Sequence, residues 1–402
     1  MKRRASLIAL ATATAAGALT LTLATRAQTP DPAAAAASVP VPAAAAPTVA
    51  PTAAPITAPP TAPPTAPAKF PADEARLRAT VNALAEPKLL GRLVGSPGER
   101  DAAALVEKGF SEAGLTAPLA TMTRLFPAPA CLQAKPLGTG SMWGLRVRPG
   151  VACAGGESRN VLAAIRGAPG QEAILVGAHI DHLGAAADAQ GKPLIFRGAE
   201  DNATGVAAML EVARTLGAAR KAPPKRTIYF VGFGGEEAGM LGSRAFVQTD
   251  LPKLEPVRLM VNLDMVGLPV GSGQMYSLLL PPNAVGTVGT ETRPALQSLV
   301  DAACRAHGLV ALSGRNVPGI GDGIWKRTYG RGDGFSFEKV RIPHVFFGDA
   351  EPSQYHTADD VPEKIDFPRL KARTEMIADL VWNAANQEEP LPAFTALPRP
   401  GR

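Results

Sequence analysis

The chain has 402 residues, a formal net charge of +6, 46% hydrophobic residues and only 5% aromatic ones. The Lys and Arg residues are scattered and form no stripe interleaved with aromatics, which excludes the electrostatic footprint of a nucleic-acid binder. Past the N-terminus no segment is long and apolar enough to span a bilayer.

Lys2, Arg3 and Arg4 precede an apolar run from Leu7 to Ala24, and Ala27 offers a small residue for cleavage. This is the pattern of a signal peptide over residues 1–27, and the protein is expected to be exported to a periplasmic or secreted location. No cysteine stands near the cleavage point, which argues against lipoprotein processing. Residues 28–68 are almost entirely Ala, Pro, Thr and Val. They have too little side chain to bury to offset the entropy of ordering, and read as a disordered linker. A folded domain is expected over 69–388, followed by a Pro-rich tail over 389–402. Roughly 330 residues suffice for one large domain or two small ones.

Within the domain, Leu77, Val81 and Leu84 share one face of a predicted helix over 72–86, and a second helix is predicted over 99–113. Residues 117–158 read as irregular, with a short strand candidate at Trp143–Val147. An oxidising compartment makes a Cys131–Cys153 disulfide plausible in this Gly- and Pro-rich region. Cys304, in a helical pattern, reads as a buried small apolar residue. Apolar runs then predict strands at Asn160–Ile165, Ala173–Ala178, Thr227–Gly232, Arg258–Leu263 and His344–Phe347. Helices are predicted at Asn202–Leu216, Pro294–His307 and Phe367–Asn386. Strands alternating with helices imply an α/β fold, a central sheet with helices on both faces. Ligands bind such sheets beyond the carboxyl ends of the strands.

Polar residues with chemical potential cluster at those predicted ends. His179 and Asp181 follow a buried strand, with side chains on the same side of extended chain; a surface loop pair would read alike. Asp201 sits where a loop enters a helix, flanked by Gly198 and Gly205. It reads either as a helix cap or as a carboxylate able to bridge two metals. Glu200 beside it is expected to face solvent. Glu236 and Glu237 stand side by side after a strand and Gly234-Gly235, an arrangement that is costly without cations unless the loop is solvated. Asp264 ends an apolar strand, where a buried acid requires a partner. His356 follows Tyr355 in a polar loop. Mixed imidazole and carboxylate donors suit zinc, and paired metals are an established hydrolytic arrangement.

The segments GAHIDH, GAEDNATGVAAMLE, GFGGEEAGMLGS, NLDMVG and YHTADDVPEKID, in this order, resemble metallopeptidase family 28, the di-zinc aminopeptidases. The resemblance extends over about residues 70 to 385. It implies a three-layer α/β/α fold with a mostly parallel, mixed sheet. It also implies two Zn2+ ions, with Asp201 bridging both, Glu237 and His356 on one, and His179 and Asp264 on the other. By the same resemblance Asp181 supports His179, and Glu236 is the general base that takes a proton from the metal-bridging water. Tyr355 either hydrogen-bonds the oxyanion or packs beside the loop. Where the family has Ser-Asp-His, this chain has Gly332, Asp333 and Gly334; Asp333 is kept and the histidine is lost. His182, His307 and His344 match no motif and read as structural. The function implied is removal of N-terminal residues from peptides. The alternatives are a dipeptidase-like exopeptidase, a single-zinc glutaminyl cyclase-like enzyme, or an inactive binding domain that kept the peptidase fold.

Overall fold

The computed structural model describes residues 69–397 and 399, apart from 138–141, 154, 220–221, 315–316, 318–320 and 322–327. The expected signal peptide and linker lie outside the described residues. Among those described, no helix is long and apolar enough to cross a membrane.

The strands in chain order are β1 (Thr123–Ala128), β2 (Leu132–Pro136), β3 (Trp143–Val147), β4 (Gly156–Ile165), β5 (Ala173–His179), β6 (Ala185–Ala187), β7 (Pro193–Ile195), β8 (Thr227–Phe233), β9 (Val257–Leu263), β10 (Ala284–Val288), β11 (Val310–Ser313) and β12 (His344–Phe347). The described helices are α1 (Glu74–Leu84), α2 (Pro97–Glu112), α3 (Gly205–Ala219), α4 (Leu241–Thr249), α5 (Pro294–Ala306), α6 (Gly334–Lys339) and α7 (Phe367–Asn386). Their starts follow local chemistry. The Asp73 carboxylate accepts from the Arg76 amide, the Ser96 hydroxyl from the Glu99 amide with Pro97 next in line, and the Asp366 carboxylate from the Arg369 amide. Each satisfies an amide that the first helical turn leaves without a partner.

Eight strands form one mixed sheet in the order β1-β4-β8-β5-β9-β12-β10-β11. The centre, β8-β5-β9-β12, is parallel. Every residue of β5 and β8 is buried, so these strands read as unbroken apolar runs without alternation. Ile174, Val176, Phe230, Val261 and Val345 face a large core shared with α1, α2, α3, α5 and α7. Leu175, Tyr229, Val231, Phe233 and Met260 face a smaller one with Phe246 of α4 and Phe337 of α6. The result is the three-layer α/β/α arrangement expected, with its sheet mixed at the edges.

The region expected to be irregular holds more order than its sequence shows. β1 is an edge strand with a half-exposed pattern and Pro127 inside it, and it pairs antiparallel with β4. Edge strands tolerate proline because one of their sides makes no ladder. β2 and β3 form a separate hairpin, and Cys131 and Cys153, at its root, are joined in a disulfide. Cys304 is buried in the large core. The tail packs as irregular chain: Leu391 and Leu397 are buried, and Arg293 donates to the Thr395 carbonyl at 2.9 Å.

Glu99, in the first turn of α2, is fully buried and accepts from the Gly95 amide (2.7 Å) and the Ser158 hydroxyl (2.5 Å). Burial, reinforced by the nearby charge of Asp181, pushes its carboxyl up to about 8. The folded chain therefore keeps a proton that the unfolded chain releases near the ordinary glutamate value. Stability contributed at this position falls as pH rises through that window. Glu99→Gln is neutral at every pH, so the variant is expected to gain stability relative to the parent between about pH 5 and about pH 8, by at most about 1.4 kcal/mol per pH unit. Urea unfolding at a series of pH values checks this, and identical slopes for parent and variant would exclude Glu99 as the titrating group.

Candidate metal centre

The parallel strands deliver their polar residues to one edge. β5 ends at His179, which lies opposite Phe233, the last residue of β8. Gly234 and Gly235 then turn the chain into Glu236 and Glu237. β9 ends at Leu263, one residue before Asp264. Asp201 comes from the distorted turn Ala199–Thr204 that precedes α3, and His356 from the loop after β12. The turn explains why the helix predicted from Asn202 begins only at Gly205. Asp201 keeps non-helical angles, and the Asn202 side-chain oxygen takes the capping position by accepting from the Gly205 amide at 3.0 Å. The cap reading of Asp201 is thereby displaced by its neighbour. A side chain at Gly198 or Gly205 would collide with the Asp201 carbonyl or the Asn202 side chain, so both positions require glycine.

Asp201 stands between two histidines. His179 Nε2 is 3.1 Å from Asp201 Oδ1 and 3.3 Å from Asp264 Oδ1. His356 Nε2 is 3.2 Å from Asp201 Oδ2 and 3.1 Å from Glu237 Oε2. His356 Nε2 is buried and close to two carboxylates, yet aligned for a hydrogen bond with neither. Tetrahedral zinc with bonds near 2.0–2.1 Å places neighbouring donor atoms roughly 3.3–3.4 Å apart. The spacing and the donor types fit zinc, and the orphaned His356 nitrogen fits a metal ligand. His179, Asp201 and Asp264 form one group able to hold a cation, and His182, Asp201 and Glu237 offer atoms in similar reach on the other side.

The cluster draws positive charge. Burial pulls the His356 imidazole down, but Glu237 and Asp201 outweigh it and hold it up at about 11. His179 goes the same way against its burial, through Asp264 and Asp201. Burial would raise Asp201, yet His179, His356 and His182 keep it well below the usual carboxylate range; Glu237 is likewise drawn down to about 2 by His356 and His182.

Around these groups lies a ring of supports. The buried Asp181 carboxylate accepts from the Glu236 amide (2.9 Å) and the Glu237 amide (3.2 Å), fixing the two-glutamate turn. Its Oδ1 is 3.8 Å from His179 Nδ1, which lies 3.2 Å from the Asp181 carbonyl. Asp360 accepts from the Glu200 amide (2.8 Å) and the Asp201 amide (3.0 Å). Glu200 does not face solvent as expected. It is buried, accepts from the Gly267 amide at 2.9 Å and abuts Asp349, because the turn directs neighbouring side chains to opposite sides. His182, expected to be structural, is fully buried with Nδ1 2.8 Å from Glu237 Oε1. His307 and His344 pair with Asp379 and Glu338, away from the site. Arg92 was not singled out in the sequence. It is buried and donates to the carbonyls of Ile180 (2.9 Å) and Gly198 (3.0 Å), stitching together the segments that carry Asp181 and Asp201. Its only sequence signal is an arginine in a glycine-rich segment.

Glu236 lines a cavity of about 270 Å³ together with Asp201, Asp264, Phe346, Tyr355 and His356. Burial, with Glu237, Asp333 and Asp264 adding negative charge, pushes its carboxyl well above the usual range despite the opposing His179. Tyr355 stacks on the His356 ring with centroids 3.8 Å apart, and burial keeps its phenol protonated. Asp333 is buried behind the site, and burial raises it to about 7.

The model of peptidase family M28 matches residues 160–381, more than half of the chain and every candidate metal ligand described above. The chain belongs to peptidase family M28. This M28 chain is 31% identical over 200 residues to aminopeptidase YwaD of Bacillus subtilis, covering 48% of this chain and 39% of that protein. It is also 31% identical to an aminopeptidase of Pseudomonas aeruginosa over 162 residues, covering 38% and 26%. It thus matches well under half the length of these two relatives. In fold it resembles a zinc aminopeptidase from Bacillus subtilis, with a TM-score of 0.58, 17% identity and coverage of 80% and 97%. It also resembles the glutaminyl cyclase of Porphyromonas gingivalis, with a TM-score of 0.54, 18% identity and coverage of 77% and 98%.

If Asp360 fixes the backbone of Asp201, Asp360→Ala should weaken zinc binding about 10- to 100-fold, the usual cost of removing a support behind a ligand. Competition with a chromogenic chelator measures this. Unchanged affinity in folded variant protein would show that Asp201 holds its position without Asp360.

Proposed function

We propose that this chain is an exported zinc aminopeptidase that hydrolyses the N-terminal peptide bond of peptides at a two-metal site. The observation carrying the reading is the division of Asp201, with Oδ1 facing His179 and Asp264 and Oδ2 facing His356 and Glu237. One carboxylate shared between two donor sets is what a pair of metals requires, and a single-zinc cyclase-like site would leave His179 and Asp264 without a purpose. His179 and Asp264 would hold one zinc, Glu237 and His356 the other, with Asp201 on both. Zinc in these places polarises a carbonyl and acidifies water.

The chain's own residues do the rest. Glu236 lines the cavity beside both donor sets, placed to accept a proton from the attacking water and pass it to the leaving amine, and zinc held there would supply the positive charge that keeps its buried carboxyl ionised. Asp181 holds the amides of Glu236 and Glu237, so base and ligand are set by one carboxylate. Tyr355 stays protonated at the cavity wall, and its hydroxyl is a donor for the developing oxyanion. A cavity of about 270 Å³ is small for a ligand site; it suits one terminal residue better than an extended chain. Export is supported by the basic start, the apolar run and Ala27, and by the Cys131–Cys153 disulfide, a bond of oxidising compartments.

Metal analysis should find two zinc ions per chain, and fewer than two after zinc addition would overturn the two-metal reading. Glu236→Gln should lower kcat on aminoacyl-anilides by about 10²- to 10⁴-fold while both zinc ions stay bound. Undiminished turnover would remove Glu236 from the role of base. Tyr355→Phe should lower kcat about 10²-fold with KM little changed; a change confined to KM would assign the tyrosine to binding.

A further inference from the structure

The β2–β3 pair lies outside the main sheet, yet among the described residues its Trp143 bonds the candidate site. The Trp143 amide donates to the His356 carbonyl at 3.0 Å, and the Trp143 carbonyl accepts from His356 Nδ1 at 3.0 Å. These two bonds grip both the backbone and the ring of one histidine. The second puts the proton on Nδ1 and leaves Nε2 free to face Asp201 and Glu237. His356 has a φ of +54°, the left-handed region that residues other than glycine rarely adopt, so its loop does not hold this conformation by local preference. The grip supplies what the loop lacks. His179, by contrast, sits on a fully buried central strand and needs no such aid.

The hairpin in turn is tied at its root. Cys131 directly precedes β2, Cys153 follows β3, and the Arg148 amide donates to the Cys131 carbonyl at 2.7 Å. The root lies where β1 and β4 pair, Ala128 opposite Gly156, so the disulfide fastens the hairpin to the edge of the main sheet. At the far end Trp143 packs on Phe196 with ring centroids 5.1 Å apart.

We infer that the disulfide-closed hairpin is a positioning device for His356, with Trp143 the positioning residue, and that loss of the Cys131–Cys153 bond weakens zinc selectively in the Glu237–His356 half of the site. This rests on the two-zinc reading above. The test is a stepwise zinc titration of metal-stripped protein against a chromogenic chelator, comparing the parent with Cys131→Ser/Cys153→Ser. One of the two zinc affinities should fall about 10-fold or more while the other stays within about threefold. A merely stabilising disulfide would leave both affinities of the folded variant unchanged, and a general loosening would weaken both alike; either result overturns the inference. A parent that binds fewer than two zinc ions would fail the two-zinc reading itself, which separates the two failures. Should the double variant not fold, Trp143→Pro removes the amide that bonds His356 and keeps the disulfide. It should show the same one-sided loss, and equal affinities there overturn the inference as well.

Discussion

A single buried carboxylate whose two oxygens face two different imidazoles sets the terms for this structure. Asp201 must stay ionised in a place where burial opposes charge, and it must keep both oxygens aimed. Removing a carboxylate from water costs several kcal/mol unless charge and hydrogen bonds replace the solvent. The replacements surround it: His179 on one oxygen, His356 on the other, and Asp360 on the amide behind. The glycines at 198 and 205 exist because the chain passes too close to Asp201 and Asn202 to carry a side chain.

The same logic extends one layer outward. Asn202 bonds the Leu263 carbonyl (2.9 Å) and the Met265 amide (3.2 Å), joining the Asp201 turn to the segment that carries Asp264. Glu200 holds the Gly267 amide, and its carboxyl is pushed well up by burial and by the adjacent Asp349. Asp349 accepts from the buried Arg373 at 2.8 Å through both oxygens, and from the Leu268 amide at 2.8 Å. The neighbouring acids Glu200 and Asp349 are each bonded to a backbone amide. Buried side chains tied to backbone at several points hold their shape, and a site that must present donors at fixed spacing depends on that stiffness.

Legibility along the chain followed burial. β5, β8, β9 and β12 showed plainly because strands buried on both faces are continuous apolar runs, and the residues just beyond them were the chemical ones. β1, β10 and β11 went unread: β1 and β11 are partly exposed and resemble loops, while β10, though buried, is a short run that holds Gly286. Glu200 and Asp201 are adjacent and chemically alike. Only the non-helical turn sends one to the site and the other into the interior. His182 carried no periodic signal: it lies past the end of β5, with its backbone bridged to Leu93 and its ring against Glu237.

Residue type and order therefore carried the layered α/β fold and the gathering of imidazole and carboxylate groups near strand ends, because these depend on periodicity, while the family resemblance supplied their grouping into one proposed site. Which oxygen meets which nitrogen was settled only on folding. So were the burial of Glu200, the threading of Arg92 beneath the site and the grip of Trp143 on His356. These last features join residues that are distant in sequence, Trp143 to His356 and Arg92 to Gly198, through main-chain atoms that every residue possesses. A sequence distinguishes side chains, and bonds to the common backbone leave no mark in it.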